Sequence, residues 1–225
     1  MAPKKRTIRM VGGQLPAKWS LTAVHLRQAV LTARSLCQPG MAELFLLSWE
    51  FLFRVQSEGV PLEAGVPGEG TCLSPERHSA VFIDAELCLN VRLQRRKHRP
   101  RGSLLRRPCT CRQDNRFCVV HKLQGLLVSK ALGERLFDFT SYQVLKALRQ
   151  TLGLLGVEGA QAFTLKAFRA GRATAMAAEG ANMAAILQAG EWRSWSALRY
   201  IDPDQVDQAH VMRTLIAASD DEVIE

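Results

Sequence analysis

The chain has 225 residues, 47% of them hydrophobic, and carries a net charge of +9 with a pI near 9.6. That is enough apolar material for one substantial core, and no apolar run reaches membrane-spanning length, which excludes an integral helical membrane protein. The charge points to a polyanionic partner.

Residues 1–19 read as a basic, flexible leader, and its start, MAPKKRTIRM, has the short basic cluster of a nuclear address. Ser20 is placed to cap a helix over Leu21 to Leu36, ended by Cys37-Gln38-Pro39-Gly40. Met41 to Phe53 is a strongly apolar helix leading to Arg54, with Glu58 one helical turn later. An arginine closing such a run is either a site residue with a partner or a surface charge that solvates a helix end. Pro61 to Glu76, rich in Gly and Pro, reads as a loop.

Leu87, Leu89, Val91 and Leu93 then alternate with Cys88, Asn90 and Arg92, the pattern of a half-buried strand. The strand runs into a basic turn, Arg95-Arg96-Lys97-His98-Arg99-Pro100-Arg101-Gly102. Basic residues concentrate from Arg92 to Arg107, with Arg112 and Arg116 following, so Arg92, Arg95, Arg96, Arg99 and Arg101 are candidate contacts to a nucleic-acid backbone.

An insertion at about 103–123 holds Cys109, Cys111, Cys118 and His121, a CxCx6CxxH array. Three thiolates and one imidazole make a closed tetrahedral shell, the form of a structural zinc site. The polar, basic surroundings offer no apolar core for the thiols, which favours metal over packing; ordinary reduced loop cysteines are the other reading. Such a shell has no open position for hydrolytic chemistry. Cys37, Cys72 and Cys88 lack pairing logic, so a disulfide framework is not expected.

Asp138 to Leu155 reads as an amphipathic helix with Phe139, Tyr142, Leu145 and Leu148 on one face, and Thr164 to Glu179 as another, stopped by Gly180. Its Ala-rich part suits close helix packing. Pro203 begins a last helix to about Ala218, and residues 219–225 form an acidic tail, leaving 20–218 as the domain.

The densest chemistry lies between Lys166 and Tyr200: Lys166-Ala167-Phe168-Arg169, then Gly190-Glu191-Trp192, then Tyr200. Trp192 follows Arg169 by 23 positions and Tyr200 follows Trp192 by 8. This pattern resembles the tyrosine recombinases, the phage-integrase family, whose second motif is roughly His-x-x-Arg and whose third places a His or Trp before a nucleophilic Tyr. The GxW and RYI wording is most similar to recombinases of eukaryotic mobile elements.

The resemblance implies an α+β fold, mainly α, with a small antiparallel β-sheet, and DNA cleavage and rejoining through a 3′-phosphotyrosyl intermediate, in site-specific recombination or integration. Tyr200 would be the nucleophile; a phenol is protonated at neutral pH and must shed its proton as it attacks. Arg169 and Arg54 would clamp the scissile phosphate, since a guanidinium fork binds two phosphate oxygens and stays charged. Lys97 would protonate the departing sugar oxygen, with its basic neighbours as alternatives. Trp192 would pack on the nucleophile's segment and donate its indole N–H.

Lys166 departs from the motif: where a histidine can take up a proton, a lysine at neutral pH only donates, so Lys166 reads as a phosphate ligand. Arg172 is either a further DNA contact or a surface residue. The implied partners are duplex DNA and, on it, a homotetramer; neither ATP nor a catalytic metal is implied, and structural zinc is the one cofactor. The compartment would be the nucleus in a eukaryote, otherwise the cytoplasm. Family members usually carry an N-terminal helical clamp domain, of which the first 40 residues supply at most one helix. That gap and Lys166 support the alternative, a DNA-binding module of the same fold that no longer cleaves.

Overall fold

A helix apolar on all sides can be stable only inside a protein, and the segment following Gly40 becomes the centre of this one. The computed structural model describes residues 20–36, 40–65, 79–94, 102–109, 111, 116–193, 198, 200–202 and 206. The leader, the basic turn with Arg95, Arg96, Lys97, Arg99 and Arg101, the helix expected from Pro203 apart from Val206, and the acidic tail lie outside the described residues.

Helices α1 (Ala23–Ser35), α2 (Met41–Glu50), α3 (Val119–Val128), α4 (Ser141–Leu154), α5 (Lys166–Ala178) and α6 (Met183–Gly190) accompany a four-stranded sheet. The architecture is α+β and mainly helical. Helix α2 buries Leu44, Phe45, Leu47 and Trp49 and touches α1, α3 and α5. Phe45 meets Phe168 of α5 at 5.2 Å between ring centroids. Gly171 permits this approach: a methyl group there would overlap the Leu21 carbonyl oxygen and stand 2.6 Å from the Trp49 ring.

The start of α1 differs from the sequence expectation. Thr22, not Ser20, is the cap, its Oγ1 accepting the His25 N–H at 3.1 Å. Leu21 is drawn out of the helix because its N–H donates to the Ala167 carbonyl at 3.3 Å. Helix α4 likewise begins at Ser141 rather than Asp138, because Thr140 and Gln143 close a capping box. Its buried face is Val144, Ala147, Leu148 and Leu152, and Tyr142 points outward, 72% exposed.

Strands β1 (Glu63–Ala64), β2 (Ala80–Ile83), β3 (Cys88–Leu93) and β4 (Ser103–Pro108) lie in sequence order. The sheet is mixed, not antiparallel as expected: β1 runs parallel to β2, and the other pairs are antiparallel. The segment expected to be wholly loop therefore contributes an edge strand, with Gly65 N–H donating to Val81 O at 2.8 Å. Strand β3 is buried on both faces rather than one, while Leu87, at φ 53, sits outside it and is 43% exposed. Helix α3 packs on β2 and β3. Among the described residues, no helix is long and apolar enough to cross a membrane.

Candidate functional site

Helix α2 stops before Arg54, earlier than its apolar run predicts. Leu52 takes the left-handed conformation, φ 50, and the Phe53 N–H turns back to the Ser48 carbonyl at 3.0 Å. This is the helix-ending geometry usually given to glycine. A leucine there costs about 1–2 kcal/mol, offset by complete burial against Ala173, Ile186 and Ile201. The reversal puts Arg54 at the entry of a π-helical turn, Val55–Gly59, a form that recurs at functional sites. Glu58, 2% exposed, accepts the Arg54 backbone N–H and its Nη1, each at 2.9 Å. The pair fixes the arginine's stem while its side chain keeps 38% exposure.

Arg169 is the opposite case, 3% exposed within α5. Its Nη2 donates to the Gly190 carbonyl at 2.7 Å, and its guanidinium lies over Trp192 at 4.3 Å and over Tyr200 at 5.7 Å. Trp192 and Tyr200 meet at 5.5 Å, tilted by 38°. The Gly190-Glu191-Trp192 wording has a local cause. Glu191 ends α6 at φ 48 and the Trp192 N–H returns to Leu187 O at 2.9 Å, folding the indole over Gly190, where any Cβ would overlap the ring.

Thr174, buried in the Ala-rich stretch, anchors the next segment. Its hydroxyl donates to Tyr200 O at 3.3 Å and accepts the Asp202 N–H at 2.9 Å. In the sequence this stretch reads as close helix packing, and its one hydroxyl among small apolar residues is the signal for the anchor.

These segments surround a cleft of about 460 Å³ whose lining includes Arg54, Tyr142, Lys166, Arg169 and Tyr200. Lys166 is exposed at the first residue of α5, whose N-terminus has no side-chain cap. Tyr142, expected on the core face of α4, joins the cleft instead, so both tyrosines of the chain line it. Trp192 stands behind Arg169 and Tyr200 and is not among the lining residues.

The candidate DNA contacts divide. Arg92 is buried in β3, 7% exposed, and Arg172 is held between Glu50 at 3.8 Å and Glu179 at 3.5 Å. Lys97 and the other turn arginines lie outside the described residues.

Cys109 at the end of β4, Cys111, Cys118 at the cap of α3 and His121 in its first turn form a second centre. Their ligand atoms lie within 4.8 Å of one another and could hold a metal ion. Cys109 Sγ is 3.2 Å from Cys111 Sγ and 3.7 Å from Cys118 Sγ, and His121 Nδ1 is 3.3 to 3.6 Å from the three sulfurs. A tetrahedral zinc shell with its usual bond lengths implies separations of about 3.8 Å between sulfurs and about 3.5 Å from sulfur to nitrogen. The Cys111 thiol, hydrogen-bonded to Cys109, holds Cys109 below the usual thiol range, and Cys111 is itself pushed up to about 12 by the same partner. Adjacent thiolates repel, and a divalent cation between them cancels that repulsion.

No protein-family model matches the chain, and no curated protein matches it.

Proposed function

We propose that the chain cleaves and rejoins DNA strands through a covalent bond between Tyr200 and a 3′-phosphate. The observation that carries this reading is the convergence of Arg54, Lys166, Arg169 and Tyr200, from three separate stretches of the chain, on one cleft. Phosphoryl transfer needs a positioned nucleophile and cations around the non-bridging oxygens, and this set offers both. The N-terminus of α5, which has no side-chain cap, adds a positive dipole end beside Lys166.

In the proposed step the Tyr200 Oη–phosphorus bond forms, the phosphorus–O5′ bond breaks, and the phenolic proton passes to solvent water. The departing 5′ oxygen takes up a proton, for which Lys97 is the proposed donor. Rejoining is the reverse attack by a 5′-hydroxyl, and because the phosphotyrosyl bond conserves the energy, no nucleotide hydrolysis is needed. Arg169, stacked on Trp192, is pre-ordered for its role, and Arg54 is steered by Glu58.

The test uses nicked duplexes whose cleaved strand can diffuse away. Denaturant-resistant protein on DNA is expected from the wild type and from Tyr142→Phe, and none from Tyr200→Phe. Adducts lost in Tyr142→Phe and kept in Tyr200→Phe would assign the wrong nucleophile. DNA binding with no adduct in any form would make the chain a binding module without cleavage.

For the second centre we propose structural Zn(II), held by Cys109, Cys111, Cys118 and His121. Three soft thiolates and an imidazole clustered in this way suit zinc, with the Cys109–Cys111 pair, at 3.2 Å, needing to open slightly around the ion, and four protein ligands leave no position for a reacting water. The ion would tie the end of β4 to the first turn of α3.

A further inference from the structure

Two cavities of about 510 and 590 Å³ meet on the side of the molecule that carries the cysteine centre, and both are lined by Glu50, Arg107 and Arg172. One extends past Arg106 to Gln188 and Glu191 of the α6 end, the other past Arg116 and Cys118 to Arg27 of α1. Five arginines thus face the groove against Glu50 and Glu191, and Glu50 is engaged by Arg172 at 3.8 Å.

The arginines are held in place. Arg107 stacks on Phe51 at 5.0 Å, donates Nε to Glu50 O at 3.3 Å and Nη1 to Arg106 O at 2.9 Å. Arg27 lies over the Phe117 ring at 5.7 Å, and the loop carrying Phe117 is tied to α1 by Arg34 Nη1 donating to the Arg116 carbonyl at 3.0 Å. Guanidiniums already stacked on aromatic rings lose little freedom when they bind, which suits repeated contact with phosphates better than scattered solvated charge does.

The groove also leads to the cleft. Glu50 and Leu52 line the groove and Phe53 and Arg54 the cleft, while on α5 Arg172 faces the groove one turn beyond Arg169. We propose that this groove is a second phosphate-binding surface, on which Arg27, Arg107 and Arg116 hold the backbone of duplex DNA as it leaves the cleft, while Arg172 offsets the charge of Glu50. The inference rests on DNA as the partner, and extends it from the cleft to the face carrying the cysteine centre.

The test measures duplex binding across a salt series by the full chain carrying Tyr200→Phe, so that failure of the cleavage reading leaves the readout intact. Arg27→Gln with Arg116→Gln removes two exposed charges, and the slope of log affinity against log salt should fall by about two. Lys130→Gln with Arg135→Gln makes the same charge change on the loop after α3, which lines neither groove nor cleft, and should leave the slope unaltered. An unchanged slope in the first pair, or an equal fall in both pairs, overturns the proposal, as does a parent chain that binds no duplex. A further fall by about one on adding Arg107→Gln supports it.

Discussion

The cleft and the cysteine centre hold their side chains by opposite means. Arg169, Trp192 and Tyr200 pack beside α5 and α6, and a hydrogen bond, two ring faces and the Thr174 hydroxyl fix them within the protein itself. Cys109, Cys111, Cys118 and His121 have one another, at the junction of β4 and α3, and none is fully buried. A site built on packing is rigid before its substrate arrives. A site built from clustered thiols owes its order to whatever neutralises them.

Metal removal is the sharpest way to break that comparison, and it carries the largest expected effect. With zinc a thousandfold above its dissociation constant, chelation should cost about 4 kcal/mol. Hydrogen exchange should speed up first at the end of β4 and the first turn of α3, while the amides of α5 stay protected. A metal-free chain of equal stability would remove the proposed zinc.

Gly190→Ala attacks the cleft instead. Its Cβ would overlap the Trp192 ring, so the indole must leave Arg169, at a cost of up to about 3 kcal/mol. Tryptophan fluorescence should shift toward that of a solvated indole, with zinc content unchanged. Retained stacking in that variant would show that α6 can shift instead, and that the cleft is less rigid than its packing implies.

Glu58→Gln is expected to cost about 2 kcal/mol, because a buried carboxylate now bonded twice to Arg54 would be replaced by a neutral amide. Thermal unfolding would measure it, and faster exchange in the Val55–Gly59 turn would place it. Loss of stability without that local change would assign Glu58 to the general core.

Much of this was legible in the sequence because it depends on short spacings. Glu58 lies one helical turn from Arg54, Trp192 precedes Tyr200 by a short linker, and the thiols are close in the chain. What was hidden depends on backbone reversals and on contacts between distant segments. Nothing in the run Leu44 to Phe53 announces that Leu52 adopts a left-handed conformation, since the compensation comes from Ala173, Ile186 and Ile201. The need for glycine at 171 comes from Leu21 and Trp49, which are distant in the chain. Tyr142 fits a helical apolar face in the sequence, but α4 packs through Val144, Ala147, Leu148 and Leu152, which leaves the ring outward. The parallel strand β1 is too short for any pattern to show.

The smallest expected effect concerns Asp84, which organises the turn into β3, where the Leu87 carbonyl accepts the Cys109 N–H at 3.1 Å. Its carboxylate accepts Asn90 Nδ2 at 3.0 Å, the Cys88 N–H at 2.9 Å and Arg106 Nη2 at 2.9 Å. These bonds, that from Asn90 foremost, hold it below the usual carboxylate range. A group whose affinity for protons is lower in the folded state stabilises that state above its unfolded pKa, near 4 for a free aspartate, and the contribution is lost as pH falls through the lower folded value. Asp84→Asn should therefore melt slightly earlier than the wild type at neutral pH, with the two curves converging as the solution is acidified below that range. If the difference persists at low pH, the turn depends on the shape of the side chain and not its charge.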